Sequence, residues 1–147
     1  MLKESDIEKL LRNHLEKRGW KTTNLPKSVG EHGCDVTAWH PIWRKVLLVE
    51  AKGDGKAVHQ TKHNAFYTLL GQIISRMDIE GNSSKRARVY AIAIPAEWET
   101  VFRNKIKSMA FGWKLLKLKV FLVSTQTVKE KSYNYFMPKK TVSSMKK

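Results

Sequence analysis

Asp35, Glu50 and Lys52 are the residues of this 147-residue chain whose types and spacing could do chemistry. Glu50 and Lys52 stand two apart, so a β-strand carries both side chains to one face. Asp35 lies near the head of one strand-like run, Cys34 to Trp39, and Glu50 near the tail of the next, Lys45 to Ala51. If the two runs pair as a hairpin, the head of the first lies beside the tail of the second, and two carboxylates converge next to an ammonium. Carboxylates so placed are hard oxygen donors suited to Mg²⁺, with the main-chain carbonyl of Ala51 as a third oxygen and waters and a phosphate completing the octahedron. Lys52 would then orient water or oppose charge developing on a phosphate. The plain alternative is an Asp-Lys-Glu ion network at a strand end, which contributes little. Against it, Glu50 closes Val46-Leu47-Leu48-Val49, the most apolar strand of the chain, where a carboxylate is costly unless paired or metal-bound.

The elements that must hold these groups follow from periodicity. Ile7, Leu10, Leu11 and Leu15 recur at helical spacing after the S-x-x-E arrangement of Ser5 and Glu8, which predicts a helix over about 5–18 that stops at Gly19. Trp20 to Asn24 reads as a short strand, and Pro26, Gly30 and Gly33 mark a loop. The two runs carrying the carboxylates follow, joined at His40-Pro41-Ile42-Trp43-Arg44, where Pro41 argues for a connection looser than a two-residue turn. A long helix is expected from about Ala57 to Met77, a buried strand at Val89 to Ile94, a helix opened by Pro95 and running through Ile106, and a last strand at Leu118 to Val123. The order is α-β-β-β-α-β-α-β, an α/β fold with a mixed central sheet flanked by helices. The last twenty or so residues could add a strand or form a partly ordered arm.

These residues and this order resemble the PD-(D/E)xK, or restriction-endonuclease-like, nuclease superfamily. Gly33-Cys34-Asp35-Val36 is similar to its first motif, with cysteine where proline is common, and Glu50-Ala51-Lys52 to its second. The likeness spans about residues 4 to 124 as an arrangement, and its feel is closest to the Holliday-junction-resolvase-like branch. It implies a restriction-endonuclease-like core and Mg²⁺-dependent hydrolysis of DNA phosphodiesters, with Mn²⁺ able to substitute. Asp35, Glu50 and the Ala51 carbonyl would hold the ion and Lys52 would assist. It also implies a role for Glu8, in the place where the resolvase-like branch carries a glutamate reaching the metal, unless Glu8 merely completes a capping box with Ser5. Gln72, after Gly71, resembles a glutamine that touches the active site in several branches. Gly71 inside a helix hints at close approach of another backbone.

Composition sets the partner. The chain carries 28 Lys and Arg against 13 Asp and Glu, a formal charge of +15. From Val101 onward there are 12 Lys/Arg and one acid, Glu130, so the C-terminal third supplies +11 of it. An anionic partner, DNA, is the expectation. Lys85, Arg86, Arg88, Arg103, Lys105, Lys107, Lys139 and Lys140 are the candidate phosphate contacts, against an ordinary solubilising surface. One domain over 1–147 is expected, with 125–147 a basic extension. No apolar run is long enough for a membrane helix or a signal peptide, so a cytoplasmic protein without membrane contact is expected. Cys34 is the only cysteine, which excludes an intrachain disulfide and a cysteine-built zinc site. His59 and His63 share a helix face without a third ligand, which favours surface or phosphate contact, and His32, beside Gly33, could face substrate; His40 is a weak candidate. Trp43 could stack on a base or buttress the fold. Two readings stand beside a duplex endonuclease: a resolvase of branched DNA, and a nucleic-acid-binding module of the same fold without hydrolysis. A homodimer would suit either enzyme, since two strands require two sites.

Overall fold

Ile7, Leu11 and Leu15, four residues apart, put one fully buried stripe along helix α1, Glu4–Lys17. In this computed structural model, which describes residues 2–22, 35–55, 58–80 and 87–139, the helix starts one residue earlier than the S-x-x-E signature predicts. Lys3 caps it: its N–H donates to the Asp6 carboxylate at 3.0 Å, so Asp6 answers the free amide and the expected Ser5–Glu8 capping box does not form. Gly19 ends the helix at φ +90°, a left-handed position, and its N–H donates to the Glu16 carbonyl.

The chain then builds a six-stranded sheet in sequence order: β1 (Lys21–Thr22), β2 (Val36–His40), β3 (Lys45–Ala51), β4 (Ala87–Pro95), β5 (Lys119–Val123) and β6 (Val128–Lys131). β1, β2 and β3 are antiparallel, β3, β4 and β5 parallel, and β5 and β6 antiparallel again, so the expected mixed sheet is borne out. Helix α2 (Val58–Glu80) makes the crossover from β3 to β4. Helices α3 (Glu99–Lys107) and α4 (Ala110–Leu116) make the one from β4 to β5. Helix α1 covers one face, over Val36, Ala38, Leu47, Val49, Ala51, Ala91 and Phe121. The other face packs Ile92, Ile94, Val120 and Leu122 against α2, α3 and α4. Central strands β3 and β4 are buried on both sides, which is why they read as continuous apolar runs.

Three expectations change. Pro95 does not open a helix but closes β4; a 3₁₀ turn, Ala96–Trp98, intervenes and α3 begins at Glu99. A second helix, α4, follows, because the chain turns at Ser108 and Met109, whose amides fold back onto the Lys105 and Ile106 carbonyls. Gly71 meets no close backbone: it lies on the exposed side of α2 with open space around it. The C-terminal region does add a strand, β6, and a 3₁₀ turn at Tyr133–Phe136 buries Phe136 in the second core. Among the described residues no helix is long and apolar enough to cross a membrane.

Candidate active site

The β2–β3 register fixes the geometry. Val36 faces Val49, so one step outward Asp35 stands opposite Glu50, on the face away from α1. The Asp35 carboxylate accepts the Ala51 N–H at 2.8 Å, taking the place of a ladder bond where the strand pair ends. Its main-chain carbonyl accepts a bond from Arg12 of α1 at 2.9 Å, and Arg12 in turn lies 3.7 Å from Glu8. Glu8 thus connects to Asp35 through an arginine. Glu50 is 2% exposed, and Nε of Arg76, from α2, stands 3.4 Å from its carboxylate. A carboxylate so buried requires a cation beside it.

Lys52 departs from the expected geometry. β3 ends at Ala51, the Lys52 amide bonds to the Ala93 carbonyl of β4, and the ammonium lies 3.5 Å from Glu4 at the start of α1. Glu50 thus pairs with α2 and Lys52 with the start of α1. The chain after Lys52 is pressed against the N-terminal segment: a Cβ on Gly53 would collide with the main chain of Lys3 and Glu4, and the Asp54 N–H donates to the Leu2 carbonyl at 2.7 Å. Asp54 is a buried carboxylate that sequence reasoning missed. Trp98 Nε1 donates to one of its oxygens at 3.2 Å, while the other is buried without a hydrogen-bond partner among the described residues. Its signal was its place just beyond Glu50-Ala51-Lys52, between Gly53 and Gly55, which read only as a break in the strand.

The donors suit a hard divalent ion. Asp35 and Glu50 offer carboxylate oxygens across one strand pair, and Mg²⁺ is commonly held by one or two carboxylates with waters kept. Among the described residues no group of three or more His, Cys, Asp or Glu converges as a metal cage. Gln72 is exposed on α2, one turn before Arg76, and it is Arg76 that reaches Glu50. Of the candidate phosphate contacts, Lys107 and Lys139 are exposed, and Arg88 is half-buried on β4. Lys105 lies 4.7 Å over the Tyr67 ring. Arg103 bonds Glu99 at 2.9 Å and the Tyr135 carbonyl at 2.7 Å, so it ties α3 to the C-terminal turn. Lys85, Arg86, Lys140, Cys34 and His32 lie outside the described residues, as does the side chain of His59. His40 is buried and His63 half-buried.

No protein-family model matches the sequence, and no curated protein matches it. Two crystal structures do. An XisH family protein from Nostoc punctiforme superposes with a TM-score of 0.59 at 20% identity, covering 86% of this chain and 97% of its own. An fdxN element excision controlling factor protein from Anabaena variabilis gives 0.55 at 22% identity, covering 87% and 98%. The chain shares their fold. The overlap takes in nearly all of both neighbours, so the fold likeness is that of whole domains.

Proposed function

We propose that this chain is a divalent-metal-dependent nuclease that hydrolyses DNA phosphodiester bonds. The observation that carries the reading is the register that sets Asp35 opposite Glu50 at the end of the most apolar strand pair, with Ala51 bonded to Asp35 between them. Two carboxylates on neighbouring strands at one end of a buried strand pair are costly unless cations serve them. Asp35 and Glu50 would hold Mg²⁺, which when bound polarises a water and neutralises a phosphate oxygen. Arg12 fixes the main chain of Asp35, and Arg76 places a cation 3.4 Å from buried Glu50. Lys52, whose ammonium lies 3.5 Å from Glu4, would have to turn from that pair to oppose the charge that develops on the phosphate. The net charge of +15 supplies the attraction for a polyanion. The name of one structural neighbour, a controlling factor for excision of an element, favours a nucleic acid as partner. Cutting both strands of a duplex would require two copies of this single site.

A second reading, a DNA-binding module of the same fold that does not hydrolyse, draws on Arg76, which already supplies Glu50 with a cation. One gel separates the two. Linear, supercoiled, single-stranded and four-way-junction DNA are incubated with the protein and Mg²⁺, beside an Asp35→Ala control. The nuclease reading expects products in at least one lane that vanish with EDTA and in the control; binding without products in every lane supports the second.

A further inference from the structure

The β2–β3 turn presents an aromatic ring to solvent in a fixed orientation. Trp43 stacks on His40 with ring centres 3.9 Å apart and planes within 12°, and Trp20 stands nearly perpendicular to both rings. The Trp43 main-chain N–H donates to His40 Nδ1, which leaves Nε2 as the donor to the Arg18 carbonyl, each at 3.2 Å. Gly19 allows this approach, since a Cβ there would lie 3.1 Å from the same Nε2. Although it is anchored on one side, Trp43 remains 58% exposed, and neighbouring Ile42 is 82% exposed. Exposed cations adjoin the turn: Arg44 and Lys45 follow Trp43, Arg18 bonds His40 through its carbonyl and Lys21 pairs with Trp39, while Glu16, bonded to Thr22, is the acid on that segment.

We infer that this turn is a base-stacking wedge that selects DNA with an unpaired nucleotide. An indole braced on one side can extend its stack onto one more flat ring at little further ordering cost. Inside a duplex both faces of a base are already stacked, so only a frayed, flipped or branch-point base can accept the indole. The flanking cations would take the adjoining phosphates, whereas an apolar protein partner would leave them unmatched. The inference rests on the reading of the chain as DNA-directed and names the class of DNA, but it does not require hydrolysis.

The test is fluorescence anisotropy in EDTA, with a forked duplex whose unpaired arm carries 2-aminopurine and a blunt duplex of equal charge. Trp43→Ala should weaken fork binding about 5- to 100-fold and restore 2-aminopurine emission in the bound fork, with blunt-duplex affinity held within about twofold. Trp43→Phe, which keeps a flat ring on His40, should retain most of the preference and controls for folding. Arg44→Ala should weaken both substrates alike and lower the salt slope by about one. Equal loss on both substrates, or no loss on either, for Trp43→Ala overturns the wedge while leaving the nuclease reading intact. Wild-type protein that binds neither substrate overturns both.

Discussion

Replacing Arg76 by Met keeps the apolar stem and removes only the charge that faces Glu50. Glu50 and Arg76 side chains are 3% and 15% exposed and 3.4 Å apart, so the variant leaves a buried carboxylate without this cation. Removing one partner of a buried pair costs about 3–5 kcal/mol, and the lower end applies because Arg76 keeps some contact with water. For a chain of this size about 3 kcal/mol corresponds to a melting temperature lower by roughly 6–12 °C. Two signatures separate a lost charge from lost packing. The deficit should shrink from pH 7.5 to pH 5, because in the variant protonation is the cheapest relief for Glu50, and proton uptake by the folded state favours it as pH falls. Mg²⁺ should restore most of it, since a ligand at about a hundred times its Kd adds about 2.7 kcal/mol. Wild type should gain less, because its guanidinium already serves Glu50. Adding Glu50→Gln should recover stability without metal. Circular-dichroism melts across pH and Mg²⁺ read all of this, and an Arg76→Met protein that melts like wild type at pH 7.5 would refute the argument.

Gly53→Ala should destabilise by about 2–3 kcal/mol, because its Cβ meets main chain of Lys3 and Glu4 and not a yielding side-chain tip; urea unfolding with an unchanged midpoint would contradict this. Burial alone would raise the Glu99 carboxyl, but hydrogen bonds from Arg103 and Tyr135 and the nearby positive charges outweigh it and hold the group below its ordinary 4.5. That stability is present above pH 4.5 and lost as pH falls through the folded value, so Glu99→Gln should flatten the acid limb of a stability–pH curve, and an identical limb would count against the contact. The His14 imidazole is held below 6.5, first by burial and then by Arg18 and Lys17, with Glu130 opposing. Wild type should therefore lose stability as pH falls from 6.5 toward the folded value, and His14→Leu should show no such loss in urea midpoints.

The parts of the fold legible in the sequence were those with a clean period. The four-residue spacing of Ile7, Leu11 and Leu15 marked α1, and the apolar run ending at Glu50 marked β3 and predicted its pairing with β2 closely enough to set Asp35 opposite Glu50. Helix α4 escaped because it buries only Trp113 and exposes Phe111 and Leu115, which inverts the usual amphipathic signal. β6 was one of two alternatives left open for the C-terminal residues, because Val-Lys-Glu-Lys on a sheet edge also reads as a charged tail. At the site, Arg76 lies 26 residues from Glu50, and only the packing of α2 across the sheet brings them together. The pairing of Lys52 with Glu4 was not legible either, because 48 residues separate them and only the packing of the start of α1 brings them together.

The central claim is that Asp35 and Glu50 act together as the centre of a metal-dependent nuclease, and the most direct measurement is the initial rate of DNA cleavage at saturating Mg²⁺ for wild type, Asp35→Asn and Glu50→Gln, with DNA affinity measured in parallel. Both substitutions remove a charged metal ligand and keep its shape, and both remove negative charge near phosphate. The account predicts that each abolishes cleavage while DNA affinity holds or improves. Either variant cutting at the wild-type rate would contradict it.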